Sequence, residues 1–129
     1  MKEIINFFRT CPAFSGKKVR EDYLGPESGS VAIAPDGGES ILKTYTSGDM
    51  LGQICFKILV RDNYTGAANA LFEDISHWLI SVKSLPELSK GHAQYIDVLE
   101  EPVLVKTDVN AGIYEMKLRL VYYREGEII

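Results

Sequence analysis

The chain holds two imidazoles, two thiols and several carboxylate pairs, the residue types from which an active site could be made. His77 follows Glu73 by four residues, a spacing that on a helix would place an acid and a base, or two metal ligands, on one face. His92 follows Gly91 in a polar stretch without a neighbouring ligand type at metal spacing. Cys11 and Cys55 lie far apart and form no CxxC, so the thiols are expected to be reduced and buried. A closed zinc site wants four ligands, and neither cysteine nor His92 shows the spacing for one. Adjacent carboxylates such as Glu73-Asp74 and Glu100-Glu101 point apart on a helix or strand, so they read as solvated surface. Gly37-Gly38 and Gly25-Pro26-Glu27-Ser28-Gly29 lack the Lys-Ser/Thr ending of a phosphate loop and the GxGxxG dinucleotide spacing. Nucleophilic catalysis needs a nucleophile, a base and an orienting group together, and no such set is legible. The expectation is therefore a non-enzyme with no catalytic, cofactor-binding or metal-binding residues. Tyr45, Tyr95, Tyr114, Tyr122 and Tyr123 either form an aromatic binding surface or pack across strands, the ordinary place for aromatics in sheets.

The elements that must position these residues centre on Gln53 to Val82. Ile54, Phe56, Ile58 and Val60 alternate with Gln53, Cys55, Lys57, Leu59 and Arg61, which predicts a strand with one packed and one mixed face. After Asp62, Asn63 and Gly66 the period changes. Ala68, Leu71, Phe72, Ile75, Trp78, Leu79 and Val82 follow three-four spacing, so they predict an amphipathic helix lying on that packed face. Trp78 and Phe72 are expected to supply its largest buried areas. Pro86 blocks its continuation.

Upstream, Lys2 to Thr10 predicts a short helix that Pro12 ends, followed by an irregular charged stretch from Ser15 to Glu21. Val31–Ala34 and Ile41–Thr46 predict two strands separated by the turn chemistry of Pro35-Asp36-Gly37-Gly38. Ser47-Gly48-Asp49 then makes a hairpin with the strand that starts near Leu51. The Gly- and Pro-punctuated segment from Gly25 to Ser40 reads as too polar for the core and suited to assembly contacts. Downstream, Gln94–Leu99 and Val103–Thr107 predict one strand with a bulge or edge at Glu100-Glu101-Pro102. Asp108 to Gly112 turns the chain into the long alternating run from Ile113 to Arg124. The order α-β-β-β-α-β-β predicts an α+β fold, a largely antiparallel sheet with two helices packed on one face.

A chain of 129 residues with 46% hydrophobic and 25% charged residues suits a single domain, residues 1–129, without staples. A net charge of −4 argues against free-standing nucleic-acid binding. Lys57 interrupts the best apolar run, so no membrane span is expected. Asn6 and Arg9 break any signal-peptide core, which implies synthesis in the cytosol.

The chain as a whole resembles a family. Ile5-Asn6-Phe7-Phe8-Arg9-Thr10-Cys11-Pro12 and Asp22-Tyr23-Leu24-Gly25 are similar to the openings of small proteins from tail-gene clusters of long-tailed phages and prophages of Gram-positive bacteria. Val60-Arg61-Asp62-Asn63-Tyr64, Phe72 through Trp78-Leu79, Ile96-Asp97-Val98-Leu99, Thr107-Asp108 and Leu118-Arg119-Leu120-Val121-Tyr122-Tyr123 continue the likeness in order. Such proteins are called minor capsid proteins. Some carry a chloramphenicol-resistance label, which this chain, lacking a transport helix or an acetyltransferase-like histidine context, does not support. In size and element order the family is similar to tail terminator (tail-completion) proteins. The resemblance implies a virion structural protein that caps the tail tube as a ring, usually a hexamer, and joins the tail to the head. Its partners would be further copies of itself, the tail tube protein and the head–tail connector. It would reside in the host cytoplasm during assembly and then in the virion tail. A neck or tube subunit, or a small-molecule-binding enzyme, is the alternative.

A ring needs heterologous contacts that close on themselves. The mixed strand faces carry Lys57, Arg61, Lys117, Arg119 and Tyr123 beside Cys55, Leu59 and Val121, more apolar than plain solvated surface requires. These five residues are the candidate interface or lumen wall. A neighbour's Asp97, Glu100, Glu101 or Glu115 would be the acidic counterpart, and DNA would pass through the ring without being gripped.

Overall fold

The computed structural model describes residues 1–107 and 111–126. Helix α1 (Lys2–Phe8) and a single 3₁₀ turn (Pro12–Phe14) lead into strands β1 (Val19–Glu21), β2 (Ser30–Thr44) and β3 (Met50–Asp62). Helix α2 (Thr65–Ser81) follows, then β4 (Glu87–Leu88), β5 (Gly91–Thr107) and β6 (Gly112–Arg124). The six strands form one sheet in the order β1-β2-β3-β6-β5-β4. Among the described residues, only the short β1–β2 pair is parallel. The fold is α+β. Among the described residues, no helix is long and apolar enough to cross a membrane.

The alternation read along β3 and β6 survives in three dimensions. Phe56, Ile58 and Val60 are fully buried, and Leu118, Met116 and Tyr114 oppose them in turn across the β3–β6 ladder. Both helices cover this face. Phe8 of α1 meets Phe56 at 5.7 Å between ring centroids, and Phe7 meets Trp78 of α2 at 4.9 Å. Trp78 itself is only half-buried, a wedge between the two helices. Phe72, Phe56, Phe8 and Tyr122 are the large side chains that are wholly buried, so α1 and β6 share the role expected of Trp78. Thr65 Oγ1 and the Tyr114 hydroxyl, 2.6 Å apart, tie the start of α2 to β6.

The strand reading before α2 needs correction. Val31–Ala34 and Ile41–Thr46 are not two strands, because β2 runs from Ser30 to Thr44 without reversing. Gly37 and Gly38 take φ of 81° and 77°, and residues 36–38 stand opposite Cys55 alone, between the Pro35–Phe56 and Glu39–Ile54 pairs. The turn chemistry therefore makes a bulge, since the chain beyond it regains its ladder with β3. The supposedly irregular stretch to Glu21 ends in β1, which pairs beside Val31–Ile33. Val31, Ala32, Ile33 and Ala34 are consequently core, contrary to the polar reading of Gly25–Ser40. A two-residue strand, β4, was also missed. The expected break in β5 is present as register shifts from Val98 to Val103. The Asp108–Asn110 part of the expected turn lies outside the described residues.

Candidate assembly surfaces

The residues that could have made an active site are scattered. His77 is exposed on α2, beside the 3₁₀ turn, while His92 begins β5. Cys11 is buried in the core, and that burial pushes its thiol up, away from the reactive thiolate. Cys55 is half-buried on the opposite side of the sheet. Among the described residues, no three His, Cys, Asp or Glu side chains gather as metal ligands would.

The mixed face of β3 and β6 carries all five candidate interface residues, with Lys57, Lys117 and Arg119 near its middle and Arg61 and Tyr123 toward opposite ends. Lys57 Nζ lies 3.7 Å from Glu115, and Lys117 Nζ lies 3.9 Å from Asp36 and 3.8 Å from Glu100. Arg119 makes a forked pair with Asp97, its Nε donating at 2.9 Å and its NH2 at 3.3 Å, and it lies over the Tyr95 ring. That carboxylate holds the guanidinium pKa above its ordinary value. Arg61 donates through Nε to the Gly25 carbonyl at 3.0 Å. Three of the carboxylates assigned to a neighbour, Asp97, Glu100 and Glu115, thus already serve cations of their own subunit. Opposite charges face each other across β5 and β6, Asp97 beside Arg119 and Glu100 beside Lys117, and they offset the like-charged Lys57 and Lys117 that face each other across β3 and β6. Partly exposed pairs of this kind orient side chains more than they stabilise the fold.

Two tyrosines at the end of β6 anchor the surrounding turns. The Tyr123 hydroxyl donates to Asp49, and the Gly126 amide donates to the same carboxylate at 2.6 Å. That amide and the Tyr123 hydroxyl together hold the Asp49 carboxyl below its usual range. On the helix side, the Tyr122 hydroxyl donates to Glu39, which also takes a 2.6 Å bond from Lys90 of the β4–β5 turn. Lys90 and then Tyr122 lower the Glu39 pKa, while burial and then Glu39 push Tyr122 up to about 12.

A pH dependence follows. Tyr122 in the fold stays protonated where the unfolded chain, near 10, has begun to ionise. The native state binds more protons between those values, so stability falls as pH rises through that window. The loss should be on the order of 2–3 kcal/mol by pH 12. Denaturant titrations across the alkaline range check this: Tyr122→Phe should remove its share of the slope, while Tyr123, which its bond to Asp49 also pushes up to about 12, keeps the rest.

The sheet leaves two edges open, a feature sequence reasoning touched only at Pro102. Among the described residues, β1 covers β2 only at Val31–Ile33, and no strand pairs with the outer side of β2 from Ala34 to Thr44. Among the described residues, β4 covers β5 only at Gly91 and His92, and no strand pairs with the outer side of β5 from Ala93 to Thr107. That second edge is apolar. Leu99, Val103, Leu104 and Val105 are each about half exposed, at 46%, 50%, 52% and 48%. The same strand carries Asp97, Glu100, Glu101, Pro102 and Lys106 and shifts register around Glu100, so charges, a proline and bulges restrict which strand could pair with it.

The chain matches no protein-family model and no curated protein. Among solved structures it is similar to a chain described as the virion of a native gene transfer agent particle. The TM-score is 0.55 at 18% identity, over 91% of this chain and 85% of the other. At that identity the likeness is one of fold.

Proposed function

We propose that the protein is a virion structural subunit, and within that class a tail terminator that closes the tail tube as a ring. The single observation that carries this reading is the pair of open edges on opposite sides of one sheet. Successive strands from β2 through β3 and β6 to β5 are antiparallel, so β5 runs opposite to β2. A second copy placed edge to edge in the same orientation would set its β2 antiparallel to this β5. Such a contact is heterologous, and repeated it closes into a ring when the rotation between copies divides a full turn. The fold shared with a gene transfer agent virion chain and the resemblance to tail-cluster proteins support the same class.

In a ring of this kind the two helices occupy the outside, and the uncovered face turns to the bore. Lys57, Arg61, Lys117, Arg119 and Tyr123 would then line the lumen together with the carboxylates that neutralise them. Neutralised pairs release few counterions, so DNA would meet a wall that does not hold it. The tail tube and the head connector would contact the two rims. A tube subunit would instead stack without limit, and a small-molecule enzyme would need a deep pocket with convergent polar groups.

Analytical ultracentrifugation with electron microscopy of tails tests the proposal. The wild type should sediment as one closed ring, alone or on tail tubes. Leu99→Lys with Val105→Lys should leave a folded monomer that fails to assemble, because buried unpaired lysines oppose strand addition. Rings that persist in that variant, or wild-type chains that polymerise indefinitely, would sink it.

A further inference from the structure

We infer that the Ser89-Lys90 turn between β4 and β5 is a clasp that fixes the curl of the sheet, and with it the number of copies in the ring. This role rests on the ring reading. Lys90 Nζ reaches Glu39 of β2 at 2.6 Å, and Ser89 Oγ donates to Glu3 of α1 at 3.3 Å. Glu39 is level with Ile54 and Leu120, on the helix-covered side, and also accepts from the hydroxyl of the buried Tyr122. The turn hangs on β5 whereas Glu39 lies on β2, and β3 and β6 stand between them. Three strand intervals span roughly 14 Å in a flat sheet. The two side chains meet across that width because the turn folds inward over the helix-covered face. Gly91 shows how closely it is pressed. A Cβ there would sit 2.6 Å from the Tyr123 carbonyl oxygen.

Packing holds the turn only in part. Leu88 rests on the core, but a cleft of about 460 Å³ runs between α1, the β2 bulge and the turn, with Ile4 and Ile54 among its lining. The polar links complete the tie between the two sides of the sheet. That tie matters because the open edges of β2 and β5 are the assembling surfaces. Neighbouring strands differ in twist by about −10 to −35°, so three intervals leave the angle between the edges open by roughly tens of degrees. Five-, six- and seven-fold rings need rotations between copies of about 72°, 60° and 51°. Ring size therefore turns on differences of roughly 10°, finer than strand twist alone selects. A brace between the two sides narrows the range. The Lys90 and Glu39 side chains are 39% and 40% exposed, so their pairing adds little to stability and acts on geometry.

Native mass spectrometry and electron microscopy of assembled rings count the copies. The wild type should show one copy number. Lys90→Ala and Glu39→Gln should leave the fold and its thermal midpoint nearly unchanged, yet spread the rings over more than one copy number. Gly91→Ala, which pushes the turn off β6 by a steric route, should spread them in the same way. A single copy number shared by the wild type and Lys90→Ala would overturn the clasp and leave the ring reading standing. A Lys90→Ala chain that folds but stays monomeric would put Lys90 in the contact between copies, and that too would overturn the clasp. A wild type that never closes into rings, alone or on tail tubes, sinks the ring reading and the role of the clasp with it.

Discussion

Truncating Phe72 to alanine should lower the unfolding free energy by about 3–5 kcal/mol, the range for removing a buried aromatic. Phe72 is 1% exposed and belongs to the same core cluster as Phe56, Leu118 and Met116. It cannot be replaced by local collapse, because sheet and helix are both rigid on either side of it. A domain of ordinary stability has about 5–15 kcal/mol in total, so this variant should be partly unfolded at modest denaturant. Trp78→Ala should cost less, since the indole is half-buried between Phe7 and Phe8 and part of it already meets water. Chemical denaturation followed by circular dichroism measures both. A Phe72→Ala loss below about 1 kcal/mol would mean that α2 is held elsewhere and that its flank belongs to a partner.

Gly52→Ala should be the next most damaging change, at about 2–4 kcal/mol. A Cβ at this position would sit 2.5 Å from Cζ of Tyr122 and 2.6 Å from its hydroxyl oxygen. The tyrosine has little freedom to yield. Its side chain is 1% exposed, and its hydroxyl is committed to Glu39, which in turn holds Lys90. Overpacking accounts for about 1–3 kcal/mol and a displaced hydrogen bond for about 1 more. The cause can be isolated in a double-mutant cycle. With Tyr122→Leu already present there is room for the methyl group, so Gly52→Ala should then cost under about 1 kcal/mol. An equal cost in both backgrounds would show that backbone effects, and not the ring contact, are responsible.

Local pattern sufficed wherever a residue's partners lie on its own element. The two-residue alternation of β3 and β6 and the three-four spacing of α2 follow from backbone geometry alone, so both elements and their buried faces were legible before any coordinates. So was the hairpin at Ser47-Gly48-Asp49, where short polar residues and a positive φ at Gly48 close the chain on itself. The bulge near Pro102 was legible too, because a missing amide is a local property. The fate of Pro35-Asp36-Gly37-Gly38 was not. Its residues suit a reversal and a bulge equally, and only the ladder that β3 offers on the far side decides between them. The burial of Val31–Ala34 and the existence of β1 depend on that same long-range pairing. Parity puts the five candidate surface residues on one face. Their partners were not foreseen, because Asp97 and Glu100 reach Arg119 and Lys117 only through the register of β5 with β6. The open edges are further removed from sequence. Each is defined by where another strand or helix stops, and no residue's own chemistry records that.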